Sequence, residues 1–300
     1  MVLSIRQIHP VFVGEASGID LREPLSRADA AAIGAGMDRY AVLVFHGQNL
    51  TDQQQVAFSR NFGEIENPRG GNITQPHEKR LGPLMNDVSN LGHDNKPLPR
   101  DDRRRLFNLG NQLWHSDSSF RAIPAKYSLL SARTVAKKGG NTEFADMRAA
   151  YDALDAETKA LVENLVCEHS LLYSRGLLGF TELSAEEQAM FRPVRQSLVR
   201  IHPVSGRKSL YLSSHAGTIV GWPMPEARAV LRDLTEHATT PEFVYVHRWR
   251  QHDLVIWDNR QTMHRVRRFD DSEPRDMRRT TIAGDRQTTD QVAAEQVAAA

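Results

Sequence analysis

His115 and Asp117 stand two residues apart in the run NQLWHSDSSF (111–120), and His264 follows in WDNRQTMHR (257–265), almost half the chain later. On a β-strand, residues i and i+2 point to the same face. An imidazole and a carboxylate so placed can grip one metal ion from one side. A second imidazole from a distant strand completes a set of two histidines and one carboxylate, with three coordination positions left open. The demand on the fold is topological: strands remote in the chain must meet at one point. His-x-Asp alone is a common pair. Its company gives it weight, because Arg275 and Arg279 follow His264 and a GGNT turn (139–142) follows His115. By donor type alone both iron(II) and zinc accept such a set, although the wide gap is unlike the short helical His-Glu-x-x-His spacing of zinc hydrolases.

The 300 residues suffice for one large domain or two small ones, and a 40% hydrophobic content for a sizeable core. A net charge of +1 argues against bulk attraction to nucleic acid or an anionic membrane. Eight arginines crowd residues 260–286, but without the interleaved aromatics of a nucleic-acid surface. The single cysteine, Cys167, excludes an intrachain disulfide and suits a reducing cytosol. The N-terminus lacks the apolar core of a signal peptide, and no run approaches the ~18 apolar residues of a membrane span. The expectation is a soluble cytoplasmic protein with neither nucleic-acid nor membrane partner; a homo-oligomer is left open.

Residues 11–13 and 41–45 read as strands, the second a buried one. Between them Ser26 is placed to cap a helix running to about Tyr40. Thr51-Asp52-Gln53-Gln54 fits a capping box for a helix toward Phe62, with Val56, Ala57 and Phe58 in its core stripe. From 64 to 110, Gly, Pro, Asn and charged residues dominate, which predicts a lid just before the candidate ligands. A second irregular stretch spans 171–195. Short apolar segments at 127–130, 198–201, 210–212, 243–247 and 253–257 alternate with helical patterns at 147–154, 157–165 and 224–237. This predicts a mainly β jelly roll with helical additions. Residues 1–286 form the expected single domain, and 287–300 a flexible C-terminal tail.

Taken together, the runs 111–120, 139–154 (GGNTEFADMRAAYDAL), 202–208 (HPVSGRK), 236–239 (EHAT), 257–265 and 275–282 (RDMRRTTI) resemble the Fe(II)/2-oxoglutarate-dependent dioxygenases of the taurine dioxygenase type. Further similarity runs through 18–22, 42–47 and 62–64, so the resemblance covers nearly the whole chain, most closely to the phenoxyacetate-cleaving branch. It implies a double-stranded β-helix and iron held by His115, Asp117 and His264. It implies 2-oxoglutarate as cosubstrate, with its far carboxylate on Arg275 and a hydroxyl contact from Thr142. Dioxygen is the oxidant, with ascorbate in a supporting role. Arginine suits the carboxylate because its planar fork pairs bidentately and stays charged. Arg279 matches the position that holds the acidic group of the prime substrate, and Asn111 a residue near it. Lys96 matches a lysine at the same spacing before the histidine in the phenoxyacetate-cleaving members. The implied activity is hydroxylation of a small anionic aromatic or aryloxy carboxylate, with ether cleavage to a phenol and glyoxylate. The segment 64–81, with NPRGGN at 67–72, lacks the histidine-bearing sulfonate pattern of the taurine enzymes. Sulfonate or sulfate-ester oxidation on the same scaffold is the first alternative. A non-catalytic ligand-binding jelly roll is the second, and the intact ligand set argues against it.

Overall fold

The computed structural model describes residues 2–68 and 73–291. Its strands are β1 (Ser4–Gln7), β2 (Gly14–Ser17), β3 (Val42–Phe45), β4 (Asn86–Asp87), β5 (Tyr127–Thr134), β6 (Thr142–Asp146), β7 (Val166–His169), β8 (Val194–Ser197), β9 (Val199–Ile201), β10 (Lys208–Leu210), β11 (Ala216–Ile219), β12 (Val244–His247), β13 (Leu254–Asp258), β14 (Thr262–Val266) and β15 (Asp276–Ile282). The helices are α1 (Arg27–Tyr40), α2 (Asp52–Ser59), α3 (Arg103–Asn108), α4 (Met147–Asp152), α5 (Ala156–Val162), α6 (Leu171–Gly176), α7 (Ala185–Met190) and α8 (Met224–Ala238). Among the described residues no helix is long and apolar enough to cross a membrane.

Seven strands form the main sheet in the order β1-β2-β3-β13-β5-β15-β4, and a second sheet runs β12-β6-β14. The fold is the expected jelly roll with helical additions, and strand alternation builds its layers. Val42 and Val44 of β3, with Val255 and Trp257 of β13, pack inward against Phe144 of β6. Leu43, Phe45, Leu254 and Ile256 point the other way, onto Ile33, Met37 and Tyr40 of α1 and Phe58 of α2. A third core joins Ala145 and Met263 of the smaller sheet to α4, α8 and β9–β11. Both faces of the main sheet are thus buried, which is why β3 and β13 read as continuous apolar runs.

Local signals explain the element ends. Ser26 caps α1 by accepting the Asp29 amide, and Ala41 ends the helix in the left-handed region at φ 58°. Thr51 and Gln54 form the expected capping box on α2. The buried stripe of α2 is not the expected one, however. Phe58 is buried, but its buried companions are Gln55 and Ser59, while Ala57 is exposed. Gln55 donates to the Leu129 and Arg278 carbonyls and accepts from Ser131, so α2 sits on β5 and β15 through a buried amide. Residues 11–13 are not a strand. They form the turn between β1 and β2, with Val13 at φ 67° and its amide donating to the Tyr40 carbonyl. Phe12 and Val13 are fully buried, so their apolar character reflected burial, not extension.

The stretch expected to be a lid carries more structure than its composition suggested. Ile65 bridges Ile282, β4 pairs with β15, and α3 leads into a 3-10 turn (Leu109–Gln112) just before His115. Arg80 pins it, donating to Asp87 and to Asp276 of β15. The stretch 171–195 likewise yields α6 and α7. At the C-terminus, Thr288 is buried and its hydroxyl donates to Gln196 and accepts the Ser197 amide. The expected tail 287–300 lies outside the described residues from 292 onward. Removing Arg80 takes the shared cation from Asp87 and leaves Asp276 with Arg278 alone of its two guanidinium partners, and breaking a buried pair on one side costs up to about 3–5 kcal/mol. Arg80→Ala should therefore lower the urea unfolding midpoint by an amount equivalent to about 3 kcal/mol; a midpoint equal to that of the parent would show that Arg80 anchors nothing.

Candidate metal centre and its arginines

His115 and His264 face each other as a hydrogen-bonded antiparallel pair: each amide donates to the other's carbonyl, at 3.0 and 2.8 Å. Their ring centroids lie 4.2 Å apart. Asp117 does not continue a strand. The chain turns after His115, with Ser118 at φ 56° and the Arg121 amide closing onto the Ser118 carbonyl. The expectation of both residues on one strand face is corrected here: pairing stops at His115, and the turn swings the carboxylate beside the imidazoles. The Asp117 amide donates to Asn259 Oδ1, which fixes the turn.

One ligand atom from each of the three residues falls within a 4.8 Å cluster. His115 Nε2 is 3.9 Å and His264 Nε2 3.7 Å from the Asp117 carboxylate. The Leu113 carbonyl takes up His115 Nδ1 at 2.8 Å, which turns Nε2 into the cluster. Burial pushes both imidazoles below the ordinary histidine range, with Asp117 opposing; neutral imidazole is the ligating form. Burial alone would raise the Asp117 pKa, but the Arg279 guanidinium above all, with the Ser128 hydroxyl, outweighs it and holds the group ionised. Behind Asp117 runs a buried relay: Ser128 donates to Asp117 Oδ2, Asn259 donates to Ser128, and the Trp257 indole donates to Asn259. Two neutral imidazoles and an oriented carboxylate fit a divalent metal.

A cavity beside the cluster is lined by Thr142, Trp257, His264, Val266, Arg275 and Arg279, with Asn111 at its rim. Arg275 is 5% exposed; it donates to the Val88 carbonyl and sits against the Phe269 ring. Among the described residues no carboxylate offsets its burial, which brings its pKa down to about 10. Gly140 adopts φ 67°, and a Cβ there would stand 3.3 Å from Arg275 Nε. The GGNT turn therefore makes room for the guanidinium. Thr142 accepts from the Trp249 indole at 2.9 Å, and since indole only donates, the hydroxyl keeps its own hydrogen to give. Arg279, on β15, and Arg275, just before that strand, both line this cavity, with an irregularity in register at Asp276 and Met277 between them. Arg279 Nη1 donates to Asp117 Oδ1, while its Nε is buried without a partner. Lys96 is not brought to the cluster. It is exposed in a turn closed by the Gly92 amide on its carbonyl and lines neither cavity at the centre.

A second cavity, which shares His115, Asn111 and Arg279 with the first, is walled by Asp117, Phe120, Leu171, Arg175 and His215. Arg175 and His215 carried no expectation from the sequence. The one signal was a charged residue in the apolar run LLYSRGLL (171–178), and a six-residue helix shows too little periodicity to place it.

Residues 4–281 match the family model described as "Taurine catabolism dioxygenase TauD, TfdA family". The alpha-ketoglutarate-dependent 2,4-dichlorophenoxyacetate dioxygenase of Cupriavidus pinatubonensis (strain JMP 134 / LMG 1197) is 47% identical over 281 residues, 93% of this chain and 96% of that protein. The (S)-phenoxypropionate/alpha-ketoglutarate-dioxygenase of Delftia acidovorans is 36% identical over 87% of this chain and 88% of its own length. Among solved structures, AAD-2 in complex with Mn(II) and N-oxalylglycine matches with a TM-score of 0.94 at 66% identity, covering 96% of this chain and 100% of that one. The chain belongs to the taurine catabolism dioxygenase TauD, TfdA family, whose members depend on iron(II) and 2-oxoglutarate.

Proposed function

We propose that this protein is an Fe(II)- and 2-oxoglutarate-dependent dioxygenase that cleaves the ether bond of small aryloxy carboxylates. The observation that carries the reading is the cavity in which the His115–His264 pair, Thr142 and the acid-free Arg275 face one another. The names of the relatives, which act on 2,4-dichlorophenoxyacetate and phenoxypropionate, set the substrate class. With phenoxyacetate the overall reaction takes up 2-oxoglutarate and dioxygen and releases phenol, glyoxylate, succinate and carbon dioxide. Bound iron(II) supplies the dioxygen activation that couples cosubstrate decarboxylation to substrate hydroxylation.

The chain's own residues bind and orient. His115, Asp117 and His264 hold the metal, and the Ser128–Asn259–Trp257 relay fixes the Asp117 carboxylate. Arg275 takes the far carboxylate of 2-oxoglutarate, and Thr142 donates its hydroxyl to it. Arg279 stands where the anionic group of the prime substrate meets the metal side, with Asn111 at the rim of both cavities. Val88, Leu130 and Trp257 wall the cosubstrate cavity with apolar surface that excludes water. The deciding experiment is a panel of phenoxyacetate, 2-phenoxypropionates, cinnamate and taurine, with succinate and phenol both measured. Matching yields of succinate and phenol are expected with the aryloxy acids; succinate driven by taurine in preference would overturn the assignment.

Asp117→Ala should weaken binding of Fe(II) or Co(II), read by direct metal titration, by more than the ~10–100-fold typical of losing an outer partner. Parent-like metal affinity would remove Asp117 from the ligand set. Arg275→Ala should raise the 2-oxoglutarate KM about tenfold or more, since a hydrogen bond to a charged group is worth about 1.5–3 kcal/mol. Arg275→Lys should recover part of this, because an ammonium lacks the fork; an unchanged KM in Arg275→Ala would assign the cosubstrate to another cation. Arg279→Ala is expected to raise the KM of the prime substrate more than that of 2-oxoglutarate, with slow succinate release continuing uncoupled. Equal effects on both would reduce Arg279 to a support for Asp117.

A further inference from the structure

We infer that Arg175, in the wall of the second cavity, is a further cation that acts with Arg279 to hold the carboxylate of the prime substrate. This rests on the aryloxy-carboxylate reading and names a residue that gives it charge selectivity. Arg175 closes α6 and reaches into the second cavity, beside His115 and Asp117. It is 4% exposed. Its guanidinium lies 4.3 Å from the centre of the Phe107 ring, Nη1 donates to Ser174 Oγ at 3.0 Å, and Nε is buried without a partner. No acid pairs with it among the described residues, and burial alone brings its pKa down to about 10. Taking a charge out of water without a counter-ion costs several kcal/mol. A cavity wall can retain such a group when the counter-ion arrives with the ligand.

The other charges facing this cavity have partners, with Arg279 Nε left over for a ligand. Arg279 is bonded to Asp117, and Asp87 to Arg80. Glu66, behind Ser118, accepts the Ser118 hydroxyl and faces Arg121. The remaining wall is apolar or neutral. Phe120 and Leu171 offer hydrocarbon, and Phe120 packs edge-on to His215 with ring centroids 5.1 Å apart. His215 is held well below the ordinary histidine range by burial and by Arg175, and its Nδ1 shares Ser174 Oγ with Arg175. Among the described residues, a guanidinium with no acid beside it, the free Nε of Arg279 and two apolar faces complement an aryl ring carrying one carboxylate. The guanidinium is also positioned by shape: a Cβ on Gly110 would fall 2.2 Å from Arg175 Nη1. Gly110 leaves the room that the head group fills.

The test is equilibrium binding of phenoxyacetate and of its methyl ester to the anaerobic Fe(II)·2-oxoglutarate enzyme, by calorimetry. The parent should prefer the acid. Arg175→Gln should weaken acid binding about tenfold, the scale of a lost charged hydrogen bond, and narrow the gap between acid and ester, with 2-oxoglutarate affinity retained. Arg175→Lys should be intermediate, and Gly110→Ala, which displaces the head group without removing it, should also weaken the acid selectively. A purely structural role would weaken acid and ester alike and leave their ratio in place. If Arg175→Gln has no cooperative unfolding transition, Gly110→Ala decides. Parent-like acid preference in the variants, or a parent that binds acid and ester equally, overturns the inference. A parent that binds phenoxyacetate with this selectivity yet releases no phenol would retire the proposed reaction and leave the anchor standing.

Discussion

The centre has more buried positive charge than its own carboxylate can balance, and that imbalance organises what it can bind. Arg175, Arg275 and Arg279 line the cavities around Asp117, the other acid of the lining, Asp87, being taken by Arg80, while burial lowers the pKa of the imidazoles of His115, His264 and His215. A divalent metal adds to the excess. The pocket is therefore completed by anions: a dicarboxylate on one side of the metal and a monocarboxylate on the other. Because guanidinium stays charged across the physiological range, this preference does not switch off with ordinary changes in pH.

The fold serves that arrangement by bringing ligands to the seam between the two sheets. Trp257, in the core between them, is at once a wall of the cosubstrate cavity, a neighbour of the His264 ring at 4.6 Å and the donor that orients Asn259. Packing and site geometry are thus set by the same side chain. The Arg80 bridge performs a similar task for the segment before His115, tying it to β15, the strand that carries Arg279.

Much of this was readable from residue order. The capped helices α1 and α2 and the buried runs of β3 and β13 had local signals behind them, while the grouping of His115, Asp117, His264, Thr142 and Arg275 followed from the family resemblance. The misses share a cause. Residues 11–13 have strand-like composition because they are buried, yet Val13 needs a left-handed backbone to complete a turn. Asp117 reaches the cluster through a turn held by Asn259, a residue remote in the chain. Arg175 sits on a helix too short for periodicity, and Lys96 has the matching spacing but lies on an exposed turn. In each case the deciding contact is long-range, and a linear pattern does not carry it.

The pairing of His115 with His264 also orders events in the life of the chain. The two are separated by almost half of the sequence, so joining them closes a long loop, and His264 comes to the pair on β14, itself paired with β6. A nascent chain released only as far as β12 has two of its three ligand residues and no site. Metal loading is thereby deferred until after the sheets have closed, in contrast to short-spaced metal motifs, where the ion itself can nucleate folding. The apoprotein must be stable by its cores alone, and its affinity for iron reports on the completeness of the fold.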